Sequence, residues 1–360
     1  SEGDAELHRL SGDAIEHVMS LCKFDRMMAI MYDFPQAALA FGTIALALKS
    51  VARESHPLFQ MVRAAIESPF FLSTARSGFR EQEAHWLAAR IRDDAGVPGT
   101  VPRTGLLFRR THPVFLRRED MYAITHESMY LSDFGRRPIA AGAGDTRRAC
   151  SFDQNLAWAL SKADWDLVGE LSMAAWYGLD APTSWQLSCD AALDAVFERF
   201  GFVPAPTFDT RYADSLPTDD RERYSRFHAY HTTIVYGLLL LARRPERCAQ
   251  LRDTPDLADV AMLLSAAATV AADFTFDGSG IDPGWFLAHR SGELRFRNDL
   301  VAELVLANVR DAAGIEAAAR LASRIDTPDP GSALHDTIEV LVSHRKRFLS
   351  FVATPDATAA

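Results

Sequence analysis

The chain has 360 residues, 48% hydrophobic and 24% charged, the balance of a folded chain and not of a disordered one. Thirty-eight basic residues against 48 acidic ones leave a formal charge of -10, which excludes a broad phosphate-neutralising face and so argues against nucleic acid as a partner. The longest apolar stretches, 234–242 and 260–272, are shorter than the roughly 20 residues a membrane-spanning helix needs, so no membrane is expected either.

Apolar residues recur at helical spacing almost throughout, and no stretch alternates like a strand bounded by hairpin turns. The patterning predicts helices over 5–22, 36–54, 58–67, 81–95, 119–133, 153–163, 165–177, 184–200, 220–242, 257–274, 300–312 and 332–351. Gly135, Gly178, Gly201 and Gly314 follow apolar runs as C-terminal caps, and Pro57 and Pro182 stand near starts. Connections are expected at 96–104, at the Gly- and Arg-rich 135–151, and at 203–218, which holds three of the 17 prolines. The first twenty residues alternate charge with short apolar stretches, unlike a secretory leader, and the expected location is the cytoplasm. Cys22, Cys150, Cys189 and Cys248 lie too far apart in sequence for a CxxC or zinc-ribbon arrangement and read as free thiols.

Asp166-Leu-Val-Gly-Glu170-Leu171 is echoed by Asp299-Leu-Val-Ala-Glu303-Leu304, and a histidine-bearing apolar helix precedes each: His126 in THESMYLSDFG and His231 in YHTTIVYGLLLL. The order His-helix, acidic helix, His-helix, acidic helix points to an all-α fold, a multi-helix α/α array or toroid-like domain built from helical hairpins. The expected organisation is one domain over 1–352, with halves 1–202 and 219–352 joined through 203–218, and a frayed tail at 353–360.

On a helix, Tyr122, His126, Met129, Tyr130 and Asp133 share one stripe, which puts an imidazole, two phenols and a carboxylate on an inward face. Imidazole titrates near neutrality and a carboxylate orients it, the pairing that acid–base catalysis uses; a packed core histidine is the bland alternative. His231 shares the stripe of Phe227, Ile234, Val235 and Leu238 and is expected to face inward, with His228 one turn away. Asp164 and Asp166 suit a helix N-terminus, whereas Glu170 lies a turn further in and is the better catalytic candidate, Glu303 the weaker. The pairs Arg109-Arg110, Arg117-Arg118, Arg136-Arg137 and Arg147-Arg148 bracket the first histidine and offer an anion site or a dock for an acidic carrier. No glycine-rich nucleotide loop, GxSxG elbow or kinase signature is present.

Thr125-His126 with Asp133-Phe134-Gly135, then Asp166 and Glu170, then Tyr230-His231 with Thr233 resemble the pattern of an uncharacterised family of all-helical bacterial proteins associated with natural-product gene clusters. The resemblance covers about 110 residues and implies a biosynthetic tailoring role; it supplies no mechanism or cofactor. The leading expectation is an enzyme in which His126, His231, Asp133 and Glu170 do acid–base chemistry. Its substrate is a small polar or carrier-bound metabolite, bound by Tyr122, Tyr130, Tyr230, Arg136, Arg137 and Glu303. Cyclisation or elimination is the expected reaction class. Two rivals stand beside it: a mononuclear metal enzyme with ligands such as His126, His231 and Glu170, and a non-catalytic helical scaffold that binds a partner subunit.

Overall fold

The computed structural model describes residues 2–93, 105–109, 116–139, 145–161 and 164–243. Among them the regular elements are helices, eleven α and two short 3-10, and no strand occurs, so the protein is all-α. No described helix is long and apolar enough to cross a membrane. The predicted helices over 257–274, 300–312 and 332–351, Glu303 with its repeat, and Gly314 lie outside the described residues. So does the half 219–352 beyond Arg243.

The chain divides into two compact units. The first comprises residues up to Gly105 together with Met129–Arg137. It holds α1 (Glu2–Leu21), α2 (Phe24–Asp33), α3 (Ala38–Ser50), α4 (Pro57–Glu67) and α5 (Gly78–Arg92). Their apolar faces meet around Leu48, Leu58, Phe59, Val62, Ile66, Phe71 and Leu87. Gly42 lets α3 approach α5 so closely that a Cβ there would collide with Leu87. Lys49 donates to the carbonyls of Arg90 (2.8 Å) and Ile91 (3.2 Å) and to Asp93 (2.6 Å), which satisfies the last carbonyls of α5 with a cation at the negative end of the helix. Helix α2 went unpredicted, although Met27 and Met31, four apart, carry its buried face.

The second unit comprises Leu106–Ser128 and the chain from Pro138 on. Its described helices are most of α6 (Arg118–Leu131), then α7 (Asp145–Ser161), α8 (Trp165–Gly178), α9 (Ser184–Phe200), α10 (Thr210–Ser215) and α11 (Thr218–Ala242). Helix α8 is the axis of this unit: it packs on α7, α9 and α11, and nearly every residue from Asp166 to Trp176 is buried. Two glycines permit that density. A Cβ on Gly169 would stand 2.9 Å from Val235 of α11, and one on Gly178 would stand 2.9 Å from the Ser128 hydroxyl of α6. Gly178 is therefore a packing residue inside the helix end, not the cap the sequence implied, whereas Gly201 is a true left-handed cap whose N–H bonds the Phe197 carbonyl at 2.7 Å.

Three sequence expectations are corrected. Helix α7 begins at Asp145, inside the stretch read as a connection, so Arg147, Arg148 and Cys150 are helical. The Pro-rich 203–218 carries α10 and is tied to α11 through Ala205 N–H to the His228 carbonyl (2.8 Å) and Val203 N–H to Thr233 (3.1 Å), all within the second unit. On α11 the buried stripe is Ala229, Thr232, Val235, Tyr236, Leu239 and Ala242, while Phe227, Ile234 and Leu238 are exposed. Both faces of this helix are apolar, so periodicity alone could not orient it; the face with small residues opposite Gly169 packs closest and wins.

Candidate functional site

Helices α6, α8 and α11 run in the same direction, because partners advance together along all three: Tyr122 meets Asp166, Thr125 meets Glu170, and Ser128 meets the Ala174 carbonyl. On the other side Thr232 meets Asp166 and Val235 meets Gly169. Side chains four residues apart stack on one helix face, so Tyr122 and His126 form two rungs opposite Asp166 and Glu170.

Asp166 is the hub. The Tyr122 hydroxyl donates to its Oδ2 at 2.5 Å, and the Thr232 hydroxyl donates to its Oδ1 at 3.1 Å. His231 Nδ1 lies 2.8 Å from the same Oδ1. A ring N–H facing a carboxylate places the imidazole proton on Nδ1, which leaves the basic lone pair of the neutral ring on Nε2. The Asp166 side chain is only 9% exposed and that of His231 57%, so a buried carboxylate orients an imidazole that reaches solvent. Arg118 binds Asp164 through Nε (2.5 Å) and Nη2 (3.1 Å), with Nη2 also 3.9 Å from Asp166. Asp164 in turn accepts the Leu167 N–H at 3.2 Å as the N-cap of α8. One guanidinium thus serves two buried carboxylates, and the Asp164 contact raises the pKa of Arg118 further. Burial, then the bond to Asp166, holds the Tyr122 phenol well above its ordinary range and keeps it a donor.

His126 occupies the next rung. Its Nδ1 donates to the Tyr122 carbonyl at 2.7 Å and lies 3.9 Å from Glu170, whose carboxylate accepts the Thr125 hydroxyl at 2.7 Å. Burial raises the Glu170 pKa; His126, the Thr125 hydroxyl and His231 pull the other way, and Asp166 adds to the rise. His126 thus lies beside Glu170, and His231 beside Asp166 one turn earlier on α8.

Asp133 has partners of its own within the first unit. Helix α6 stops at Leu131, and Asp133, Phe134 and Gly135 follow with φ of 54°, 54° and 76°, so the stripe drawn through Asp133 ends two residues too soon. Asp133 belongs to the first unit, where it accepts Trp86 Nε1 and Arg90 Nε, each at 2.8 Å, and pairs with the Arg90 guanidinium. Tyr130, Arg136 and Arg137 are likewise in the first unit, with Tyr130 packed on Trp86 at 5.5 Å between rings. Tyr230 is exposed, its ring 6.4 Å from that of His231. His228 turns to Thr207 at 3.0 Å. Of the arginine pairs, Arg117 is bound to Asp120 (3.1 Å) and Arg118 to Asp164. Among the described residues no three His, Cys, Asp or Glu side chains converge as ligands for a metal ion. The sequence reading gave Asp166 a helix-end role, Arg118 an anion-site role and Thr125 only a place in the family pattern, and it did not name Thr232; the four-residue spacing of Asp166 and Glu170, matched by that of Tyr122 and His126, was the signal for the network.

A second polar cluster lies further along α8. Asp190 of α9 is fully buried, accepts Ser172 Oγ and Trp176 Nε1 (2.9 Å), and faces Arg243 Nε at 3.4 Å. Burial pushes its carboxyl up to about 6.

Fold and site define an all-helical protein in which a buried ladder of carboxylates and hydroxyls holds His231 and stands beside His126. The chain belongs to the family described as a domain of unknown function, DUF6895, whose model matches residues 1–241. No curated protein matches it, and no solved structure does.

Proposed function

We propose that the chain is an acid–base enzyme acting on a small polar metabolite, free or tethered to a carrier, by elimination or ring closure in a biosynthetic tailoring step. The observation that carries the reading is the 2.8 Å contact of His231 with buried Asp166, itself held by Tyr122 and Thr232. An oriented, solvent-reaching imidazole is what a general base requires. Its Nε2 takes a proton from carbon or a hydroxyl. On the neighbouring rung, Glu170 has its protonated form favoured by burial and, with His126, supplies the proton that a leaving group takes away. Two titratable centres with environments this different, one open and one enclosed, suit opposite proton-transfer roles. The tailoring context rests on the resemblance in the Thr-His, Asp-Leu-x-x-Glu-Leu and Tyr-His segments.

The test is metabolite profiling. Full-length wild type, His126→Ala and His231→Ala, each matched for helicity by circular dichroism, are incubated in D2O with a small-molecule extract of the organism that encodes the chain, and consumed or deuterated species are read by mass spectrometry. The wild type is expected to convert species that both variants leave intact. Equal conversion by both variants would overturn the assignment.

A further inference from the structure

An open cavity of about 450 Å3 lies between the Pro-rich stretch 203–218 and the N-terminal half of α11, apart from the ladder that holds His231. That volume falls within the range of small-molecule sites, roughly 300–1,000 Å3. Four rings line it: Tyr212 of α10, and Tyr224, Phe227 and His228 of α11. Asp220, one turn before Tyr224, adds a carboxylate on the same helix face. Tyr212 and Phe227 are exposed by 52 and 72%, so these rings are presented to solvent and do not fill a core. Tyr212 and Tyr224 meet at 71° with centroids 5.1 Å apart, and Phe227 and His228 at 79°, also 5.1 Å apart. Tyr224 and His228 close the gap between these pairs at 4.4 Å. Parallel walls would form a slot for a flat ring, whereas walls near a right angle form corners that enclose a compact, rounded group.

The walls are fixed before any ligand arrives. Asp209 caps α10, accepting the N–H groups of Arg211 (2.8 Å) and Tyr212 (3.1 Å), and donates its own N–H to the Tyr224 hydroxyl at 3.0 Å. One residue thus sets both tyrosines. The Thr207 hydroxyl lies 3.0 Å from His228 Nδ1, and Phe208 packs on Tyr224 with centroids 5.5 Å apart. Rings held in place in this way lose little freedom when a ligand binds.

Electrostatics select the sign of the ligand. Ring faces carry negative potential, and Asp220 stands with Asp219 in the acidic first turn of α11. The formal charge of -10 on the chain draws cations as well. Arg223, also in the lining, lies 3.8 Å from Asp220, beyond hydrogen-bond length, and the two side chains are 82 and 56% exposed. A solvated pair of this kind is weak and leaves the carboxylate open to a competing cation. Rings with a carboxylate suit a cation that sheds its water easily, which an alkylated ammonium does and a metal ion does not.

We infer that this aromatic cage binds a small metabolite carrying an alkylated ammonium group, its methyl groups against Tyr212, Tyr224 and Phe227 and its charge toward Asp220. The inference is independent of whether His231 catalyses a reaction.

Saturation-transfer NMR titration of the full-length protein tests it, with choline as the probe and 3,3-dimethylbutan-1-ol, its uncharged carbon isostere, as the control. Choline is expected to bind about tenfold more tightly than the alcohol. Phe227→Ala and Asp220→Asn, both at exposed positions and each matched to the wild type in helical circular dichroism, are expected to weaken choline by about two- to fivefold, and Phe227→Tyr to retain it. Equal binding of choline and the alcohol, no choline signal at tens of millimolar, or choline binding untouched by both substitutions would overturn the inference. Benzoate binding in preference to choline would give the cavity to an anion through Arg223, and a trimethyllysine peptide binding where choline does not would give it to a protein tail; either result would equally overturn it.

Discussion

Replacing Asp166 by Asn keeps the shape of the hub and removes its charge. The carboxylate accepts Tyr122 at 2.5 Å on one oxygen and both His231 (2.8 Å) and Thr232 (3.1 Å) on the other. An amide has one acceptor oxygen. If that oxygen faces His231, the NH2 meets the Tyr122 hydroxyl, which must turn its proton away. If it faces Tyr122, the NH2 meets His231 Nδ1, and the ring must move its proton to Nε2. Either way one buried charge-assisted bond is lost, a cost of about 1.5–3 kcal/mol. The bond to half-exposed His231 adds little after solvent screening. Relief of repulsion with Glu170 returns part, since Asp166 is among the groups that raise the Glu170 pKa, which leaves a net loss of about 2 kcal/mol. Urea unfolding followed by tryptophan fluorescence reads that loss, and long-range nitrogen–proton NMR of the imidazoles reads the tautomer of His231 directly. The wild type is expected to carry its proton on Nδ1 and the variant to shift toward Nε2. An unchanged tautomer together with a loss below about 0.5 kcal/mol would show that Asp166 neither orients the ring nor carries the network. Where the same exchange inverts the tautomer in hydrolase triads, turnover falls by about four orders of magnitude.

Two further outcomes are expected elsewhere in the second unit. Gly169→Ala places a Cβ 2.9 Å from the branched Val235 side chain, so the helix-propensity gain of about 1 kcal/mol is outweighed by overpacking of about 1–3 kcal/mol; urea unfolding should show a net loss near 1 kcal/mol, and a gain would refute the close approach of α8 and α11. Asp190 has a folded pKa raised to about 6 from 3.8, so between those values the folded state binds more protons and stability falls as pH rises, by about 3 kcal/mol over the window. In Asp190→Asn that contribution to the pH profile disappears, and midpoints measured from pH 4 to 7 that fall in parallel with the wild type would refute it.

The helices were legible wherever an apolar stripe was long and well punctuated. Helix α9 was read to the residue, because Thr183 caps its start by accepting the Gln186 N–H at 3.0 Å and Gly201 ends it. Helix α2 escaped because it spans ten residues without a side-chain cap at Lys23. His126 and Glu170 stood out in the sequence because neither was needed to explain a helix end. Asp166 was overlooked for the opposite reason: its place in the first turn already had a sufficient account in the helix dipole, and only the neighbouring Asp164 turned out to be the cap. Asp133 was misplaced because the predicted helix was carried two residues past Leu131, to the first of three left-handed residues, two of them not glycine, a conformation that no propensity scale anticipates. His231 was assigned to the wrong face of α11, yet its Nδ1 still reaches α8, since a histidine at the boundary between two apolar faces can bond inward while its ring stays wet.

Helix α8 carries Asp166 and Glu170 in its first half and Ser172 and Trp176, the donors to Asp190, in its second. From Asp166 to Trp176 is about 15 Å at the helical rise, within a rod enclosed almost all round. Such a rod has no slack in which to bend at one end alone. The Asp166 hub and the donors to Asp190 therefore hang on one packed helix.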